Sequence, residues 1–117
     1  MTDLVIDEET TGPVTVLAPA GRVDTSTAKT FETAALSRIE AGGRAMVFDF
    51  GKLDYISSAG LRVVLLAGKR IRAAGGALIL CNMNAAIRDV FEISGFLALF
   101  TVKDSRAAAI SEATTVG

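Results

Sequence analysis

The 117 residues are 50% hydrophobic and 21% charged, with a mean hydropathy of +0.45, which predicts one ordinary domain with enough apolar material for a core without metal or disulfide staples. A net charge of −1, a pI near 5.3 and few, scattered aromatic residues supply no field for a phosphate backbone, so nucleic acid is not an expected partner. The chain holds no histidine and one cysteine, Cys81, so no Ser-His-Asp arrangement, His-based metal site or internal disulfide can be assembled, and neither cofactor nor metal is expected.

The segment Met1 to Glu9 is acidic and lacks the positive region and apolar stretch of a signal peptide, and no apolar run reaches membrane-spanning length. A cytoplasmic location without direct membrane insertion is the expectation. Leu4 to Ile6 and Val14 to Ala18, separated by the polar stretch Asp7 to Gly12, read as an opening antiparallel hairpin. Asp24, Thr25 and Ser26 then offer cap oxygens to a helix whose Ala28, Phe31, Ala35 and Ile39 recur at helical spacing until Gly42-Gly43 stops it. Ala45 to Phe50 reads as a strand, Ala59 to Ala74 as a helix ended by Gly75-Gly76, and Ala77 to Cys81 as a strand in which Cys81 is a small core hydrophobe. A helix over Ala85 to Ser94, a strand over Leu97 to Val102, a short helix over Arg106 to Glu112 and a frayed tail over 113–117 complete the chain.

This alternation predicts an α/β fold: a mixed, mostly parallel sheet of about five strands, an N-terminal antiparallel hairpin and about four helices covering the sheet. Asp49 interrupts otherwise continuous apolar strands and reads as a cap or turn acceptor, since an unpaired buried carboxylate is costly. The Gly-Gly pairs follow helices and precede strands, the reverse of a phosphate-cradling loop.

Chemistry concentrates in Asp54-Tyr55-Ile56-Ser57-Ser58-Ala59-Gly60-Leu61, a loop at the carboxyl edge of the sheet, where α/β sites collect. The loop Gly21-Arg22-Val23-Asp24 and Asn82 should open at the same edge, gathering Asp24, Ser57, Ser58 and Asn82. One of the two serines is expected as the helix N-cap. At ~100° per residue, Leu61, Val64, Leu65, Gly68 and Ile71 turn toward the sheet. Ala59, Val63, Leu66 and Arg70 then turn outward with Arg62 and Lys69 on a flank, an outer stripe suited to another protein. A phosphate on Ser58 would add about −1.5 to −2 charges. The helix N-terminus tolerates an anion, whereas a partner packed over Ala59, Val63 and Leu66 does not.

The stretch Asp49 to Leu61 resembles the strand, loop and phosphoserine segment of the STAS domain family, found in sulfate transporters and anti-sigma-factor antagonists, with Ser58 at the phosphorylated position. Gly21-Arg22-Val23-Asp24 resembles the family's first-loop motif, Gly75-Gly76 its turn after the switch helix, and Val90 to Phe96 the segment before its last strand. The resemblance spans Val14 to Val102 and implies a single STAS domain over residues 1–117. It implies further an anti-sigma factor antagonist without catalytic activity, which binds an anti-sigma factor that is also an ATP-using serine kinase, releases a sigma factor, and is reset by a phosphatase. Ser57 stands where the sporulation and stress-response members carry aspartate, which leaves two alternatives: Ser57 as the acceptor, or a constitutive switch with binding retained and regulation lost. The implied partner surface is Asp24, Ser57, Ser58, Ala59, Gly60, Arg62, Val63 and Leu66, and the oligomeric state is left open. Two other readings remain at this stage: an unphosphorylated STAS accessory subunit of a membrane transport or signalling assembly, and an enzyme with Ser58 as nucleophile, which lacks a general base.

Overall fold

The computed structural model describes residues 4–116 as a six-stranded mixed sheet with four α-helices and one short 3-10 turn. Strands β1 (Leu4–Thr11) and β2 (Val14–Val23) form the antiparallel hairpin, in register from Leu4 opposite Gly21 to Thr11 opposite Val14. Gly12, at φ +57°, supplies the left-handed residue of the turn between them. Helix α1 covers Ala28–Glu40, β3 Ala45–Asp49, β4 Leu53–Ile56, α2 Ser58–Ala73, β5 Ala77–Cys81, α3 Ala85–Ile93, β6 Thr101–Lys103 and α4 Arg106–Val116. β2, β3, β5 and β6 pair in parallel in that order. Among the described residues, no helix is long and apolar enough to cross a membrane.

Several features differ from the sequence reading, beginning with β1, which runs on to Thr11 through the polar stretch read as the connection of the hairpin. β4 lies inside what reads as a loop, and β2 reaches through Gly21-Arg22-Val23, which reads as loop as well. The two extensions pair with each other: β3 occupies the edge of β2 from Val14 to Leu17, and β4 takes over the same edge from Gly21 to Val23. Pro19 falls in the gap between the two pairings, where a residue without an N–H costs least. The strand expected over Leu97 to Val102 is a 3-10 turn at Leu97–Leu99 followed by three paired residues, because only Thr101–Lys103 reach β5. The tail expected to fray from Ala113 continues as α4 to Val116, with Ala113 fully buried.

The two faces of the sheet are covered differently. Phe31 of α1, Phe48 of β3, Phe50 and Phe91 of α3 form a chain of rings with centroids 4.9, 6.2 and 5.9 Å apart on the face that carries α1, α2 and α3. Each such side chain contributes roughly 1.5–3 kcal/mol on burial. The opposite face, with Val14, Val16, Ala45, Val47, Ile79 and Cys81, is covered by Ala109 and Ala113 of α4. Cys81 is free and buried, as read, and its thiol is pushed up to about 12 first by burial and then by the nearby Asp49 charge.

Asp49 follows Ala45 and Val47 in the strand alternation and so points to the α4 side, with 6% of its surface exposed. It is a turn acceptor, as expected, and more. Its Oδ1 accepts from the Gly51 N–H at 2.9 Å and from Asn82 at 3.1 Å, and its Oδ2 from Arg106 Nε at 2.7 Å. Arg106 also pairs with Glu9 at 2.9 Å, tying the first residue of α4 to two strands. Burial pushes the Asp49 carboxyl up, but the hydrogen bonds from Arg106, Gly51 and Asn82 and the Arg106 charge outweigh it and hold the group below the usual 3.8. A lowered folded-state value means that the stabilisation is present above pH 3.8 and is lost as pH falls through the folded value. Asp49→Ala is expected to cost about 2 kcal/mol, discounted from the buried-pair range because Arg106 is part-exposed. Asp49→Asn should flatten the acid limb of a melting-temperature series from pH 6 to pH 2, and an unchanged limb would refute this role.

Candidate functional site

The site is built where β4 hands the chain to α2. The Ser57 N–H donates to the Val23 carbonyl at 2.8 Å, continuing the β2–β4 pairing, and at φ −93°, ψ 177° Ser57 is the extended N-cap of α2. Its Oγ accepts from the Gly60 N–H at 3.3 Å. The cap is therefore Ser57, and the hydroxyl of Ser58, the first helical residue, is left exposed and free of capping duty. An aspartate at an N-cap performs the same task, so the serine at this position preserves the local architecture.

Gly60, expected on the partner surface, is buried instead. A Cβ there would meet Ile56 Cγ1 at 2.6 Å and Val23 Cγ1 at 2.7 Å, so the missing side chain lets the first turn of α2 press onto β2 and β4. Val63 is likewise withdrawn: it is 4% exposed and packs in the main core. The physical reason is that α2 has the sheet beneath it and α1 beside it, which widens its buried arc to include Val63 and Ala67. Leu65, expected to face the sheet, is only half-buried and lies on the opposite flank. Ala59 and Leu66 are half-buried, and Arg62, Lys69 and Arg70 are exposed.

The outward apolar element is therefore displaced to the other flank of α2. Ser58, Leu61, Arg62 and Leu65 line a groove whose far wall is Ser94 and Phe96, just after α3. Ile93, 86% exposed, stands next to that wall in the chain. The helix read over Ala85 to Ser94 held no signal that the following turn would lie against α2.

Asp24 stays near this end of β2 but is occupied locally. Its Oδ1 accepts from Ser26 Oγ at 2.7 Å, Ser26 N–H at 3.0 Å and Thr27 N–H at 3.2 Å, leading into α1. The Ser26 hydroxyl, opposed by burial and helped by the Ser26 and Thr27 N–H groups, holds the Asp24 carboxyl below its usual value. Thr27 is the residue just before α1 but makes no side-chain cap hydrogen bond; the oxygen that accepts the N–H groups of the lead-in turn is that of Asp24, among the residues expected to supply it. Asn82 does not join Asp24, Ser57 and Ser58, because its amide is bound to Asp49 on the α4 side. Two residues that the sequence reading held only inside its motifs gather beside Asp24: Tyr55 is 39% exposed, and the Arg22 guanidinium lies 4.3 Å above its ring and 3.9 Å from Asp24. Their cross-strand pairing, visible once β4 is recognised, is the signal that would have found them.

Among the described residues, no group of three or more metal-ligating side chains comes together. The groove offers a hydroxyl, a guanidinium and apolar walls, a set suited to contact with another chain. Replacing Ser57 by Ala is expected to lower stability by about 1 kcal/mol through loss of the cap, whereas Ser58→Ala should stay within about 0.5 kcal/mol. Urea denaturation of both variants checks this, and equal losses would overturn the assignment of the cap.

Comparison with known proteins places this geometry in context. The family model described as "STAS domain" matches residues 5–109. A protein of Bordetella bronchiseptica named as an anti-sigma factor antagonist, BtrV, is 49% identical over 89 residues, spanning 76% of this chain and 77% of the relative. Among solved structures, an anti-sigma factor antagonist of Thermotoga maritima superposes with a TM-score of 0.88 at 18% identity, covering 93% of this chain and 94% of the other. The anti-sigma factor antagonist SpoIIAA in its unphosphorylated form superposes at 0.82 with 21% identity, covering 97% and 99%. The Bacillus SpoIIAA in its phosphorylated form superposes at 0.73 with 23% identity, covering 92% and 98%.

Proposed function

The chain belongs to the STAS domain family, and we propose that it is a phosphorylation-controlled anti-sigma factor antagonist with Ser58 as its acceptor. Homology places it with the anti-sigma factor antagonists. In the proposed cycle the unmodified chain occupies an anti-sigma factor that is also a serine kinase and thereby frees a sigma factor. The kinase then modifies Ser58 with ATP, the complex parts, and a phosphatase resets the switch. The chain itself performs no chemistry.

The observation that carries this reading is the division of labor between two adjacent serines. Ser57 is half-buried and engaged in the cap, so a kinase acting there would have to break the first turn of α2. Ser58 is exposed at the mouth of the groove. A phosphate at Ser58 meets the free N–H groups and positive dipole end of α2, so the fold tolerates it. A partner seated over Ser58, Arg62, Leu65 and Phe96 must instead desolvate a dianion, which costs several kcal/mol unless a new counter-charge is supplied. Binding is thus switched by charge, without a large change of shape. Asp24, Ala59 and Leu66 form the rim of the proposed surface, while Gly60 and Val63 support it from below. The phosphorylated form known for SpoIIAA, a protein of the same fold, agrees with this reading.

The anti-sigma kinase recovered from the native cells supplies the test. With that kinase and ATP, one phosphate should appear on the intact wild-type protein and none on Ser58→Ala. Ser58→Asp should bind it at least ~100-fold more weakly, on the order of the cost of an uncompensated interfacial charge, while melting within about 2 °C of wild type. Equal binding by wild type and Ser58→Asp, or a phosphate found on Ser57, would sink the proposal.

A further inference from the structure

We infer that Arg62 is the built-in counter-ion of a phosphate on Ser58, so that modification takes Arg62 away from the partner as well as adding charge. The inference rests on the reading of Ser58 as the acceptor, and it concerns what the modified chain does with the new charge.

Arg62 follows Ser58 by one helical turn, the spacing at which side chains on a helix meet. Both line the same groove. α2 carries Arg62, Lys69, Arg70 and Arg72 and no acidic residue along its length. Among the described residues Arg62 takes part in none of the ion pairs, although it is exposed and free to swing. The neighboring cations are committed or distant. Arg22 lies over Tyr55 and beside Asp24, Arg72 Nε donates to the Gly68 carbonyl at 3.3 Å, and Lys69 and Arg70 begin about three turns beyond Ser58. On its own helix a dianion on Ser58 therefore has the Arg62 guanidinium one turn away and in no ion pair, with Asp54 of β4 and Arg88, Asp89 and Glu92 of α3 as the charged groups of the neighboring elements, and guanidinium binds phosphate through two parallel donors.

The pair would lie across the near end of the groove, over Leu61 and ahead of Leu65 and Phe96. In the unmodified chain Arg62 is available to a carboxylate of the partner; in the modified chain the phosphate competes for it at the effective concentration of a neighboring side chain. This explains how a small domain with an otherwise basic helix face can carry the added charge without strain and still present a changed surface.

The test needs no partner. Phosphoserine installed at residue 58 during translation is titrated by phosphorus NMR in wild type, R62Q and R62K, with amide spectra of the unmodified proteins confirming that each variant is folded. A nearby guanidinium favors the dianion, so the second phosphate ionisation in wild type is expected roughly half a pH unit below that in R62Q, about threefold in proton affinity, with R62K between them. The difference should collapse in 1 M salt, where the Debye length is about 3 Å. Identical titrations for wild type and R62Q overturn the inference even if Ser58→Asp abolishes partner binding. A shifted titration in a protein whose partner binding ignores Ser58 supports the ion pair and removes the switch.

Discussion

The close approach of the first turn of α2 to the Val23 and Ile56 side chains of β2 and β4 governs the rest of the site. Only a residue without a side chain fits at position 60, where Val23 and Ile56 leave no room for a Cβ. That contact fixes the height and rotation of α2 above the sheet. It brings Ser57 against the end of β2, where its N–H completes the strand pairing and its hydroxyl caps the helix, and it turns Ser58 outward. The helix can approach so closely because β4 continues the edge of β2 where β3 leaves it, so that Ile56 arrives directly under the turn. Exposure of the proposed acceptor is thus a consequence of packing beneath its neighbors.

The charged groups divide between the two faces. On the α4 side, Asp49, Arg106, Glu9 and Asn82 satisfy one another and pin a helix whose apolar contribution is little more than Ala109 and Ala113. Alanine buries little area, so the ion pairs and the Lys103–Glu112 contact at 3.3 Å matter more for α4 than for the larger helices. On α2 itself, Arg62, Lys69, Arg70 and Arg72 take part in no ion pair among the described residues, whereas α1 on the same face pairs Lys29 with Glu32 and Arg38 with Glu8. Helix α4 is held by paired charges, whereas α2 keeps its cations available.

Much of the fold was legible in the sequence. The hairpin, the helices and the central parallel strands follow from apolar spacing and glycine stops that act locally, though not which face each helix covers, and β5 coincides with its expected span of Ala77 to Cys81. β4 escaped because Leu53-Asp54-Tyr55-Ile56 is short and half polar, and becomes a strand only through its pairing with Gly21 to Val23. Ala113 was read as tail because a small side chain gives no periodic signal of burial; the sheet face it covers is contributed by residues far away in the chain.

The site divides along the same line. Ser57 and Ser58 before an amphipathic helix announced a capped N-terminus on their own, because capping needs only the oxygen, the following N–H groups and the local backbone. Which serine caps, which flank of α2 faces outward, and that Leu65 and Phe96 rather than Val63 line the open groove were decided by α1, the sheet and the turn after α3 closing around the helix. A helical pattern read from one segment specifies that a buried stripe exists and roughly how wide a single neighbor makes it. The number and direction of the neighbors, which set the true limits of that stripe, are properties of the folded chain alone.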